Sequence, residues 1–304
     1  MKYPHKLLPG MTVGVIAPCS SLSESTVKDC LEGVEMLGFK VKAAPNLSEN
    51  YGGYMAGDGE LRAEWINRMF ADPEVDGIIC IRGGDGGTRT VPYLDLDTIR
   101  ANPKPFVGYS DVTTHHLLFN RSCGFVTFHG PMAGSMAGGL TPYSTKSFFD
   151  CINADKEFVF ENPADVPLRV MHEGAASGEL IGGNLSLLSA AVGTPYDPDT
   201  RGKIFFIEEV EEPIGKIEKW MYHMRNSGKL SACSGILFGH FTSIHPKQPD
   251  YTEYDVFRDV LRGLDIPVMY NVSAGHGDPK ATLPMGAVCH MDTRDKTIVF
   301  DVER

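Results

Sequence analysis

Three short apolar runs, Met11–Pro18 (MTVGVIAP), Gly77–Arg82 (GIICIR) and Pro105–Tyr109 (PFVGY), each stop at a loop rich in Gly, Ser or Asp. Between them lie segments with apolar residues three and four apart. Val27, Leu31, Val34 and Leu37 are closed by Gly38, and Leu61, Trp65 and Met69 fall within Glu60–Phe70. Runs without polar alternation read as strands buried on both faces, and the three-four spacing reads as helices with one apolar face. Phe39–Ala43 adds another strand. Strands that alternate with helices predict a parallel sheet with helices on both faces, because a parallel strand needs a long crossover to return.

The texture changes near residue 153. Asn153, Asp155, Lys156, Glu161, Asn162, Pro163 and Asp165 make 153–172 read as a polar linker. Beyond it, Gly202–Glu208 (GKIFFIE) and Ser234–Phe241 (SGILFGHF) read as strands, Ile214–Ser227 as a helix, and Gly286–Val302 as a strand-rich tail. The expected organisation is an α/β parallel-sheet domain over 1–152, a linker over 153–172, and a smaller mixed α/β domain over 173–304. A chain of 304 residues buries enough surface to fold without disulfides or a structural metal.

Charge narrows the partners. With 28 basic and 39 acidic residues the net charge is −11, which disfavours nucleic acid and anionic membranes. No apolar stretch is long enough to span a bilayer, and no signal peptide is expected. Seven cysteines, an odd number with no CxxC pair, predict reduced, mostly buried thiols and a cytoplasmic location.

Ligands of open parallel sheets bind at the carboxyl ends of strands. Pro18–Ser21, Arg82–Gly87 and Gly108–Asp111 fall there. Ser110 stands between strand PFVGY and a helical segment over Val112–Asn120, the setting of a nucleophile elbow, although the second Gly of G-x-S-x-G is missing. Arg82–Gly87 (RGGDGG) fits neither phosphate motif. It reads as a tight turn or as a loop offering backbone N–H groups to an oxyanion. A serine nucleophile needs a base and an orienting acid. His115 and His116 ride a helix that leads away from Ser110. His240 and His245 flank a strand end and could pair on a metal, but no carboxylate stands at matching spacing. His276 lies between glycines in a loop. Glu208, Glu209, Glu211 and Glu212 follow strand KIFFI as a solvated acidic face, unless one of them holds an imidazole.

These residues, taken together, resemble the LD-carboxypeptidases (muramoyltetrapeptide carboxypeptidases), with the microcin C immunity peptidases as near relatives. The resemblance runs through Leu8-Pro9-Gly10, Val13–Pro18, Arg82-Gly83-Gly84, Gly108–Asp111, Gly182–Leu185, Ile207-Glu208 and Gly275-His276. It implies a flavodoxin-like first domain, a homodimer and a site at the domain interface; with no CxxC, HExxH or comparable ligand spacing in the chain, no metal or cofactor is expected. It maps a Ser–Glu–His triad onto Ser110, Glu208 and His276, with Glu208 taken over Glu209. It places oxyanion donors at the N–H groups of Asp111 and Gly84, and substrate contacts at Asn184 and Arg82, the latter a partner by charge for a terminal carboxylate. Asp85, Glu209 and Gly277 depart from the family's usual residues, which bears on substrate identity. The implied activity is a serine carboxypeptidase that removes a terminal D-alanine from murein tetrapeptides at an L,D bond. Gly83–Arg89 (GGDGGTR) leans toward that branch. The alternatives are cleavage of an aminoacyl-nucleotide toxin and a non-catalytic peptide-binding module.

Overall fold

In a computed structural model that describes all 304 residues, the first apolar runs form the strands their composition predicts. β1 (Thr12–Ile16), β2 (Lys40–Ala43), β3 (Gly77–Cys80), β4 (Phe106–Gly108) and β5 (Thr127–His129) are parallel, in the order β2-β1-β3-β4-β5. That is the flavodoxin-like order. Helices α1 (Glu24–Met36), α2 (Gly59–Ala71), α3 (Leu96–Ala101) and α4 (Thr113–Cys123) make crossovers between them. The first two begin where the sequence supplies caps: Ser23 Oγ accepts from Thr26 N–H, and an Asp58 carboxylate oxygen accepts from Leu61 N–H.

The remaining strands are β6 (Glu157–Val159), β7 (Arg169–His172), β8 (Ala175–Asn184), β9 (Ile204–Val210), β10 (Gly235–Thr242), β11 (Val268–Tyr270), β12 (Leu283–Met285), β13 (Val288–Asp292) and β14 (Thr297–Asp301). All but β12 form a mixed sheet in the order β6-β14-β13-β8-β9-β10-β11-β7. β9 sits in its parallel centre, so both of its faces are covered and Ile204–Glu209 are all buried.

Two features bear on how the expected segments are joined. The segment 153–172 is no free linker, since β6 and β7 are the two edges of the second sheet. Strands of three and four residues carry too little alternation to stand out from a polar background. The segment 173–304 is not a closed unit either. β12 leaves it to pair antiparallel with β5, Leu283 opposite His129. All three β12 residues are buried, and they cover a row of backbone groups on β5 that would otherwise be an open edge. The carboxyl ends of β4 and β8 therefore face each other. Asn184 N–H donates to Thr113 Oγ1 at 3.1 Å across that junction.

Candidate active site

Ser110 stands one residue, Tyr109, after β4 and starts a 3₁₀ turn that feeds α4. Its φ is +66°, in the left-handed region that a serine enters only at a cost of roughly 1–3 kcal/mol. This is the sharp strand-to-helix turn expected from the sequence. Gly83 packs against it so closely that a β-carbon there would lie 2.6 Å from Ser110 Cβ and 2.9 Å from its Oγ. Only glycine permits that approach. The loop is pinned from three directions. Ser20 N–H donates to the Gly83 carbonyl at 3.1 Å, Asp85 N–H to Ser20 Oγ at 3.0 Å, and Gly87 N–H to the Asp111 carboxylate at 2.6 Å. The three strand-end loops picked out from the sequence thus converge on one place.

The second sheet brings the acid and the imidazole. Glu208, fully buried at the end of β9, accepts from His276 Nδ1 on its Oε2 at 2.7 Å. That bond leaves His276 Nε2 as the proton-accepting nitrogen. The Tyr109 ring, adjacent to Ser110 in sequence, meets the His276 ring edge-on at 4.8 Å. Gly275, at φ +115°, lies so near the carboxylate that a β-carbon would stand 2.7 Å from Oε2. Burial by itself would raise the Glu208 pKa, but the charge and hydrogen bond of His276 and the nearby His129 imidazole outweigh it and hold it at about 2. The reciprocal effect lifts His276 above the ordinary imidazole range, against burial and the cation of Lys280, which lower it.

Glu208 and Glu209 do diverge, as strand alternation requires, but of the four carboxylates only Glu211 is exposed and Glu212 half-buried. Glu209 is 2% exposed. Its carboxylate accepts from Asn184 Nδ2 at 2.7 Å, Ser186 N–H at 2.8 Å and Val210 N–H at 2.9 Å. The reason is the central position of β9, which only the sheet order supplies. Asn184, expected to touch substrate, is itself buried, and its amide is engaged by Glu209 and Ser186. Arg82 is half-buried beside Gly84, on an open groove of about 580 Å³. His115 and His116 point away from Ser110, bonded to Thr90 and to Thr127 and the Gly108 carbonyl.

Two histidines near the acid escaped the sequence reading as site residues. His240, read there as half of a metal pair, accepts from Gly277 N–H at 2.9 Å and so fixes the loop that carries His276. Burial lowers its pKa to about 4, which keeps it neutral and able to accept. His129 ends β5, with Nε2 3.9 Å from Glu208 Oε1. The available signal was a polar residue closing an apolar strand at its carboxyl end, which is where ligand-facing groups collect.

Known proteins resemble the chain over nearly its whole length. Residues 13–130 match the LD-carboxypeptidase N-terminal domain and residues 177–291 the LD-carboxypeptidase C-terminal domain. The chain is similar to a probable murein peptide carboxypeptidase of Bacillus subtilis, with 36% identity over 98% of this chain and 94% of the relative. It is 26% identical to the murein tetrapeptide carboxypeptidase of Pseudomonas aeruginosa, over 90% and 91% of the two chains. Its structure is similar to that of the microcin C7 self-immunity protein MccF in complex with aspartyl sulfamoyl adenosine. The TM-score is 0.91 at 25% identity, covering 99% of this chain and 98% of the other. The chain belongs to the LD-carboxypeptidase family.

Proposed function

We propose that the chain is a serine-type L,D-carboxypeptidase that removes the terminal D-alanine from murein tetrapeptides in the cytoplasm. The observation that carries this reading is the approach, across two sheets, of the Tyr109 ring, next to the positive-φ Ser110, to the His276 ring at 4.8 Å, His276 being bonded at 2.7 Å to the buried Glu208 carboxylate. In this mechanism His276 Nε2 takes the Ser110 proton as Oγ attacks the scissile carbonyl. Glu208 keeps the tautomer and stabilises the imidazolium. The developing oxyanion is held by the N–H groups of Asp111 and Gly84, each worth roughly 3 kcal/mol. The Gly83 carbonyl is turned toward Ser20, and in a planar trans peptide the Gly84 N–H points the opposite way, which supports Gly84 as donor. D-alanine departs with the proton that His276 returns, and water then releases the acyl group.

The substrate assignment rests on relatives named for murein peptides and on the groove beside Arg82. Ser20, Ser21, Ser23, Thr26 and Asn50 line it, and only two of its twelve lining residues are hydrophobic. Such a surface suits a hydrophilic peptide, and Arg82 supplies the charge for a free carboxylate. The MccF complex makes an aminoacyl sulfamoyl adenosine the rival substrate. Purified protein is offered a murein tetrapeptide and aspartyl sulfamoyl adenosine in parallel, with release of D-alanine and of aspartate as readouts. Preferential D-alanine release is expected. Preferential turnover of the nucleotide conjugate would reject the murein assignment, and turnover of neither, with no labelling by a serine-reactive probe, would leave a binding module.

A further inference from the structure

We infer that His129 is a positioning residue for the acid of the site: it donates Nε2–H to the second oxygen of Glu208, so that the carboxylate is held between two imidazoles. This rests on the catalytic reading of Ser110, Glu208 and His276. Glu208 Oε2 is engaged by His276, whereas Oε1 is buried without a hydrogen-bond partner. Both ring nitrogens of His129 are also buried and unpartnered. These orphaned groups face each other, Nε2 to Oε1, at 3.9 Å, with His129 1% exposed and Glu208 fully buried. Two unmade polar groups in a dry interior are each costly, and approach by about 1 Å would satisfy both.

The surroundings direct the ring toward the carboxylate. Phe206 meets it edge-on at 5.1 Å, Tyr109 lies at 5.8 Å and His116 at 6.4 Å. His116 is already bonded through both nitrogens to Thr127 and the Gly108 carbonyl. β5 itself is clamped between β4 and β12, with His129 in register with Gly108 and Leu283. His129 therefore comes from the first sheet and His276 from the second, and Glu208 ties the two together beside Ser110. A carboxylate fixed at both oxygens cannot swing away when His276 becomes protonated.

The test compares His129→Phe, which keeps the ring and loses the donor, with His129→Gln, which keeps a donor. Three readouts are used: kcat and KM on the tetrapeptide, the rate of labelling of Ser110 by a fluorophosphonate, and the low-field proton resonance of His276 Nδ1–H. By analogy with other residues that orient a ligating or catalytic group, His129→Phe is expected to lower kcat and the labelling rate by about 10- to 100-fold, with KM within about twofold. The resonance should shift or broaden in His129→Phe, and His129→Gln should recover part of both the rate and the resonance. Wild-type labelling and an unmoved resonance in a folded His129→Phe would overturn the proposal and leave His129 as core packing. If His129→Phe does not fold, a folded His129→Ala protein with an unshifted resonance, or a His129→Gln protein that recovers neither rate nor resonance relative to His129→Ala, would overturn it equally. Wild-type protein that neither hydrolyses the peptide nor takes the label would instead refute the catalytic reading, while the resonance would still report on the His129–Glu208 contact.

Discussion

Each residue of the site separates a chemical role from a structural one. Ser110 is half-exposed and its hydroxyl supplies little packing, so Ser110→Ala should lower kcat by about 10⁴- to 10⁶-fold with an unchanged thermal midpoint. Activity above a tenth of wild type would remove Ser110 from the mechanism. His276 predicts a pH dependence. It must be neutral to accept a proton, and its pKa is raised, so kcat/KM should fall as pH drops through a value above the ordinary 6.5. In Glu208→Gln the charge that raises this pKa is gone while burial, which lowers it, remains. The acidic limb should therefore move to lower pH, with kcat reduced by roughly 10²- to 10⁴-fold. A limb that stays in place would mean that Glu208 does not set the His276 charge. Glu209→Gln should not be silent, because the Glu209 carboxylate is buried and fully engaged. Its amide NH₂ would confront a donor in the Ser186 or Val210 N–H. A loss of about 1–3 kcal/mol in urea unfolding is expected, with a smaller effect on kcat than Glu208→Gln.

At the level of elements, the site depends on loops that deliver groups from strand ends. The loop after β11 sets His276, and it reaches Glu208 only because Gly275 has no side chain. Gly275→Ala places a methyl group against the carboxylate and forces φ +115° on a residue with a β-carbon. We expect roughly 1–3 kcal/mol of destabilisation and a drop in kcat of at least about tenfold, checked by calorimetry and steady-state kinetics. Wild-type kcat with wild-type pH limb would show that the loop tolerates displacement. Strands β1, β3, β4, β9 and β10 were legible in the sequence because each is mostly a run of apolar, often β-branched residues inside a sheet, and the edge strand β2 because it resumes after the helix stop at Gly38. β6, β7 and β12 were not, because their few residues stand among Asn, Asp, Glu, Gly and Pro and read as linker or loop.

For the whole molecule, shared packing argues against two independently folding halves. One core of 57 buried residues joins Phe106 and Val107 of the first sheet to Leu180, Ile204 and Phe206 of the second. A second core adds Leu117 of α4 to Leu185, Phe205 and Ile217. With β12 also crossing, the two sheets should unfold together. Trp65 lies in α2 and Trp220 in the helix Ile214–Asn226, so each half carries one reporter. Trp65→Phe and Trp220→Phe variants, followed by fluorescence in urea, should show coincident transitions of the same midpoint once each is compared with its own circular dichroism. Separated midpoints would mean that the halves are energetically independent.

The parallel α/β architecture and the sharp turn at Ser110 were legible in the residues themselves, and the resemblance implied the order serine, glutamate, histidine along the chain. These are local or linear properties: burial periodicity, turn chemistry and motif spacing are written in neighbouring residues. Three-dimensional packing was needed to make Glu209 a buried brace held by Asn184 and Ser186, to set β12 along one edge of the first sheet, and to gather His129 and His240 around the acid and its loop. Those outcomes depend on which strands become neighbours, and burial or pairing between residues dozens of positions apart follows from sheet order, which no local pattern encodes.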